Sequence, residues 1–129
     1  MIVVDTSVWI NALRSRKSAE AQHLNELLDA DQGAIAIPVR LEILSGSQRS
    51  QQAQLSRVLS ALPLLYPTEP TWRRIEGWLG AIKSAGDWFG VSDLLIAGIA
   101  AEHGAAIWSL DSDFTRMANL KLVSLHRPV

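Results

Sequence analysis

Two short apolar runs, each halted by an aspartate, constrain this chain most. Met1-Ile2-Val3-Val4 stops at Asp5, and Ala106-Ile107-Trp108-Ser109-Leu110 stops at Asp111. Runs this short, without regular polar alternation, suit strands covered on both faces, as in a parallel sheet. Parallel neighbours need a crossover between them, usually a helix. The intervening sequence has the matching helical periodicity. The expected fold is therefore α/β: a single domain over residues 1–129, with a central, mostly parallel β-sheet flanked by helices.

Strands are expected at 1–4, 34–37, 64–66, 105–110 and 121–125. Thr6 and Ser7 suit the cap of a helix running through Trp9, Ile10 and Leu13. Residues 18–31 place Ala21, Leu24, Leu27 and Leu28 on one helical face, with Gly33 as the stop. Pro38 opens a helix that carries Glu42 and ends at Gly46. The Gln/Ser-rich stretch 48–61 keeps Leu55, Val58 and Leu59 to one side, with Leu62 just beyond it. Residues 69–85 read as an amphipathic helix with Trp72, Ile75, Trp78, Leu79 and Ile82 as its face. After the loop Gly86-Asp87-Trp88-Phe89-Gly90, Ser92 starts a helix that Gly104 ends. Its residues 94–101 are apolar nearly all round, so it is expected to be central and buried. A short turn or helix follows at 112–118.

Ligands of open parallel sheets bind beyond the carboxyl ends of the strands. Asp5 and Asp111 stand there, and Glu42 and Asp93 fall in the first turns of two helices. Taken singly, each acid has a structural explanation. Asp5 suits a turn, Glu42 an ion pair with Arg40, Asp93 a helix cap, and Asp111-Ser112-Asp113 a strand-to-helix turn. None of those explanations requires all four acids at one end of one sheet. Gathered carboxylates oppose one another's ionisation. A hard divalent cation bound by oxygen, Mg²⁺ or Mn²⁺, is the simplest counter-charge. Asp5, Asp93 and Asp111 are the expected ligands, with Glu42 completing the set and Asp113 as a further acid, either of them through water. Thr6, Ser7 and Ser109 offer hydroxyls to orient the carboxylates.

Composition excludes several other chemistries. With no cysteine there is neither a disulfide framework nor a thiolate metal site. His23, His103 and His126 lie outside the acidic motifs, His103 near a helix end and His126 near the chain terminus. A histidine-pair ribonuclease or a Ser-His-Asp hydrolase therefore lacks a placed base. Metal-assisted phosphodiester hydrolysis needs neither. No apolar stretch approaches the roughly 18 residues of a membrane helix. MIVVDTSVWI also lacks the basic leader of a signal peptide, so a cytoplasmic protein is expected. The net charge is −1, but five of the 13 acidic residues belong to the set above, leaving 8 against 12 basic ones. Arg14, Arg16 and Lys17, and separately Arg73-Arg74, are candidate phosphate contacts.

The segments VVDTSVWI, VRLEILSG, GVSDLLIAGIA and WSLDSDF, in this order and spacing, resemble a PIN domain, in particular the VapC-type toxins of toxin–antitoxin pairs. The resemblance covers essentially the full length, so 1–129 is read as one PIN-like domain. Carried over, the family's acidic quartet falls on Asp5, Glu42, Asp93 and Asp111, with Asp113 auxiliary. Ser109 departs from the family's common threonine but keeps the hydroxyl. The resemblance implies an Mg²⁺- or Mn²⁺-dependent endoribonuclease, a homodimer, and a hetero-oligomer with a cognate VapB-type antitoxin whose tail lies along a hydrophobic groove. Trp9, Trp72 and Trp78 are candidates for the protein interface.

Two other classes of protein share parts of this pattern. A non-cleaving RNA- or protein-binding regulatory domain would keep the acids without turnover. A Mg²⁺-dependent phospho-accepting or phosphatase-like domain also sets aspartates at strand ends. That class requires a lysine after a late strand, or two acids one residue apart after the first strand. Asp5-Thr6-Ser7 and the absence of lysine at 109–113 supply neither.

Overall fold

The computed structural model describes residues 1–128; Val129, the last residue of the expected domain, lies outside them. Strands β1 (Ile2–Val4), β2 (Gly33–Ala36), β3 (Leu64–Leu65) and β4 (Ala106–Trp108) form a sheet in the order β3-β2-β1-β4. Every neighbouring pair is parallel, and Ile2 lies opposite both Gly33 and Ala106. All positions of β1 and β2 are buried. Successive strand side chains point to opposite faces, so both faces of the sheet are covered. This is why these strands appear in the sequence as apolar runs.

The helices are α1 (Thr6–Arg14), α2 (Ala19–Asp29), α3 (Ile37–Gly46), α4 (Gln52–Ser60), α5 (Glu69–Ser84), α6 (Val91–Glu102) and α7 (Ser112–Asn119). α6 buries Leu94, Ile96, Ala97, Gly98, Ile99 and Ala100, as its all-round apolar sequence requires. It lies close against α5. A Cβ added at Gly98 would come within 2.8 Å of the Ile75 side chain and 3.1 Å of Thr71 Cγ2. Because the strands run in one direction, β1, β2 and β4 deliver the starts of α1, α3 and α7 to the same end of the sheet.

Several boundaries differ from the sequence expectation for local reasons. α2 ends when Asp31 adopts a left-handed conformation (φ 55°), so Gly33 is free to begin β2. α5 buries Thr71, Ile75 and Ile82, whereas Trp72 and Leu79 stay nearly half exposed. Thr71 can be buried because its hydroxyl accepts from the Thr68 backbone N–H (3.0 Å) in a capping box. α6 begins at Val91 behind Gly90, which releases the Ser92 hydroxyl for other use. Residues 121–125 do not form a full strand. Lys121 turns with φ 63°, and the segment meets β4 only at a Leu125–Ile107 bridge. There the Ile107 N–H donates to Ser124 O (2.9 Å) and the His126 N–H to Ile107 O (2.8 Å).

Candidate active site

Asp5 follows β1 and sits in the cap position of α1, yet its carboxylate caps nothing. Asp5 Oδ2 instead accepts from Ser7 Oγ (2.8 Å) and Ser109 Oγ (2.7 Å). Ser7 Oγ also accepts from the Leu110 N–H (3.0 Å), and Ser109 Oγ from the Asp111 N–H (3.0 Å). The loop after β4 is thereby tied to the carboxylate after β1. Thr6 is different from Ser7 and Ser109: its Oγ1 is buried without a hydrogen-bond partner.

Asp93, Asp111 and Asp113 approach more closely, each offering a carboxylate oxygen within 4.8 Å of the other two. Asp93 comes from the first turn of α6, where the helix dipole favours an anion. Asp111 caps α7, accepting from the Asp113 N–H (2.9 Å). Desolvation by burial pushes the Asp93 carboxyl from its ordinary 3.8 up to about 7. A hydrogen bond with Asp113 and the charges of Asp111, Asp5 and Asp113 push the same way. Asp5 is therefore near enough to be felt at Asp93 while standing outside the tightest trio.

Glu42 takes a separate place. It is exposed in the second turn of α3, and its Oε1 accepts from Ser92 Oγ (2.9 Å) at the start of α6. Arg40 is not its partner but donates to Ser56 Oγ (2.7 Å). The tight acidic group among the described residues is thus Asp93-Asp111-Asp113, with Asp5 and Glu42 beside it. Asp113, expected as the auxiliary acid, is part of the innermost set.

Arg116, which none of the acidic motifs singles out, also belongs to this site. Its guanidinium donates to Asp113 Oδ1 (2.5 Å) and to Asp87 Oδ1 (2.6 Å), and it lies 4.7 Å from the centre of the Phe89 ring. A periodicity signal existed, since Asp113 and Arg116 are three residues apart on one helix. Other basic groups are engaged elsewhere: Arg73 pairs with Glu69, and Arg74 with Glu102 (2.6 Å). Of the tryptophans, Trp9 is buried, Trp78 partly so and Trp72 49% exposed, while Trp88 is 80% exposed. Trp88 projects from the loop that Arg116 anchors.

These features define a class: parallel α/β domains whose carboxylates converge beyond the carboxyl ends of the strands. The chain belongs to the PIN domain family, whose model matches residues 2–120. It is 34% identical over 132 residues to "VapC ribonuclease Mb1587" of Mycobacterium bovis, covering 96% of this chain and 98% of that protein. "Ribonuclease VapC11" of Mycobacterium tuberculosis matches with the same identity and coverage. Among solved structures, that of VapBC2 from Rickettsia felis, bound to a DNA fragment from its promoter, superposes with a TM-score of 0.80. The match covers 100% of both chains at 21% identity and attests the shared fold.

Proposed function

We propose that this protein is a metal-dependent endoribonuclease, the toxin of a VapBC-type toxin–antitoxin pair. The carrying observation is the convergence of Asp93, Asp111 and Asp113 within 4.8 Å. Similarity to mycobacterial proteins named ribonucleases supports the choice of RNA as substrate.

The donor set fits a hard cation. It is all carboxylate oxygen, with no sulfur or ring nitrogen among the three. Asp93, Asp111 and Asp113 would hold Mg²⁺ or Mn²⁺ together with Asp5, and Glu42 would join through water. When bound, such a cation polarises a phosphoryl oxygen and lowers the pKa of a water beside it. The chain's own residues prepare the pocket. Ser7 and Ser109 fix the Asp5 carboxylate, and Arg116 fixes Asp113. With its carboxyl pushed up to about 7, Asp93 is roughly half protonated at neutral pH in the metal-free pocket, and a cation held there would favour the ionised form.

A groove of about 500 Å³ between α1, α2 and α4 supports the antitoxin assignment. Trp9, Leu13, Leu24, Leu28, Leu55 and Val58 line it, and Leu13 and Val58 are about half exposed. This apolar channel suits the tail of a cognate VapB-type antitoxin, in a homodimer-based toxin–antitoxin assembly within the cytoplasm. Among the described residues no helix is long and apolar enough to cross a membrane.

The test is incubation of purified, antitoxin-free protein with cellular RNA in Mg²⁺ or Mn²⁺, in EDTA, and as Asp93→Asn. Discrete fragments that disappear in both controls are expected. If the folded protein cleaves nothing, the nuclease reading fails and a non-cleaving binding domain takes its place.

A further inference from the structure

A second cavity, of about 650 Å³, adjoins the acidic pocket and shares Ser109 and Asp111 with it. Its remaining walls come from β4, from the first turns of α2, from α7 and from residues 125–128. The size falls in the range of small-ligand pockets. Whatever lies across Asp111 in the acidic pocket has this cavity as its neighbour.

The cavity is internally braced. His23 on α2 and His126 meet Nε2 to Nε2 at 2.8 Å. Both rings set their edges against Trp108, with centroids 4.8 and 6.0 Å away. His23 Nδ1 faces Glu26 Oε2 at 3.6 Å. At that distance the carboxylate is not hydrogen-bonded to the ring, so both of its oxygens stay free for a ligand. The Nε2–Nε2 contact needs one ring to donate and the other to accept. Two segments more than 100 residues apart are thus pinned around one space. Pre-organised walls of this kind lower the ordering cost of binding.

The charges decide what enters. Glu20 and Glu26 stand on the α2 side and Asp111 on the other, so a phosphate is repelled from the interior. Arg127 supplies positive charge at the lining. An uncharged group with hydrogen-bond donors satisfies the carboxylates, whereas an anion does not. Bases in single-stranded RNA present such donors on their open Watson–Crick edges. Guanine offers two adjacent N–H donors, matching the two oxygens of one carboxylate.

We infer that this cavity is a base-recognition subsite, taking the unpaired base of the nucleotide next to the scissile phosphate and favouring guanine. The inference rests on the ribonuclease reading, and it assigns Glu26 as the specificity-determining group. Glu26 is largely exposed, so Glu26→Gln leaves the fold intact.

Two measurements test it. First, the Asp93→Asn protein is titrated with guanosine and with uridine 5′-monophosphate while the His23 and His126 ring signals are followed by NMR. Guanosine monophosphate should shift both rings and bind about tenfold more tightly than uridine monophosphate, the discrimination of one bidentate base contact. Glu26→Gln in the same background should remove that preference. Second, short single-stranded RNAs differing only beside the cut are cleaved by parent and Glu26→Gln proteins. The parent should show the guanine preference in KM, and the variant should lose it with kcat retained. Ring signals unmoved by either nucleotide, or a cleavage preference unchanged in Glu26→Gln, overturns the subsite. Selective guanosine monophosphate binding by a protein that cleaves no RNA would sink the nuclease reading while leaving the subsite in place.

Discussion

Replacing Asp93 by asparagine should stabilise the metal-free protein, and should do so progressively as pH rises. The Asp93 carboxyl titrates near 7 in the folded chain against 3.8 for an unperturbed aspartate, chiefly because burial strips it of water. The folded state therefore holds this proton more tightly than the unfolded state. The associated stability is fully present below about pH 4 and is lost as pH climbs through about 7. Three units at about 1.4 kcal/mol each put the ceiling near 4 kcal/mol. Solvent reaching this partly buried group halves that to about 2 kcal/mol. The asparagine variant keeps an N–H donor for Asp113 and has nothing to ionise. Urea denaturation in EDTA at pH 5 and pH 8, on both proteins, reads the effect directly. The stability gap in favour of the variant should widen by about 1–2 kcal/mol between the two pH values, or about 5 °C in Tm. Titrations of groups remote from Asp93, such as that of His126, cancel in the difference. A gap that does not change with pH, or a variant less stable than the parent at pH 8, would refute the account of a strained, metal-free acidic pocket.

Ser109→Ala removes one of the two hydroxyl donors to Asp5 Oδ2, so calorimetric Mn²⁺ affinity should fall about 10–100-fold with little change in Tm; unchanged affinity would remove Ser109 from the positioning role. Arg116→Met keeps an apolar stem over Phe89 while freeing Asp113 and Asp87; RNA cleavage should drop about tenfold, and full retention would show that the clamp is dispensable. Gly98→Ala forces a methyl group against Ile75 and should lower stability by about 1–3 kcal/mol, seen as a lower urea midpoint at constant m; an unchanged midpoint would mean that α5 and α6 separate at no cost.

Much of this arrangement is legible in the sequence because burial on both faces leaves an unmistakable trace. Ile2–Val4 and Ala106–Trp108 lack polar alternation, and α6 is apolar all round, so the sheet and its central helix are written in composition alone. The acids are legible because Asp5 and Asp111 interrupt apolar runs. What escapes is tertiary. Nothing in Leu41-Glu42-Ile43 says that Leu41 and Glu42 face solvent, since the pattern is that of a buried turn. The α5 face is misjudged because Trp72 carries more hydrophobic weight than Thr71, although Thr71 has its hydroxyl satisfied locally and is the one that packs inward. The His23–His126 contact spans 103 positions and has no local signature at all.

The sheet's two outer strands set a rule for how copies of this chain can associate. An open strand with free N–H and C=O groups is a template on which another chain can add. Here β4 is already shielded, because Ser124 and His126 use the backbone groups of Ile107. β3 is only two residues long and stands between Pro63 and Pro67, neither of which has an N–H to give. Neither margin invites sheet extension. Contacts between copies are therefore left to helix and loop surfaces, and a chain accumulating without a partner offers little edge on which strands could stack.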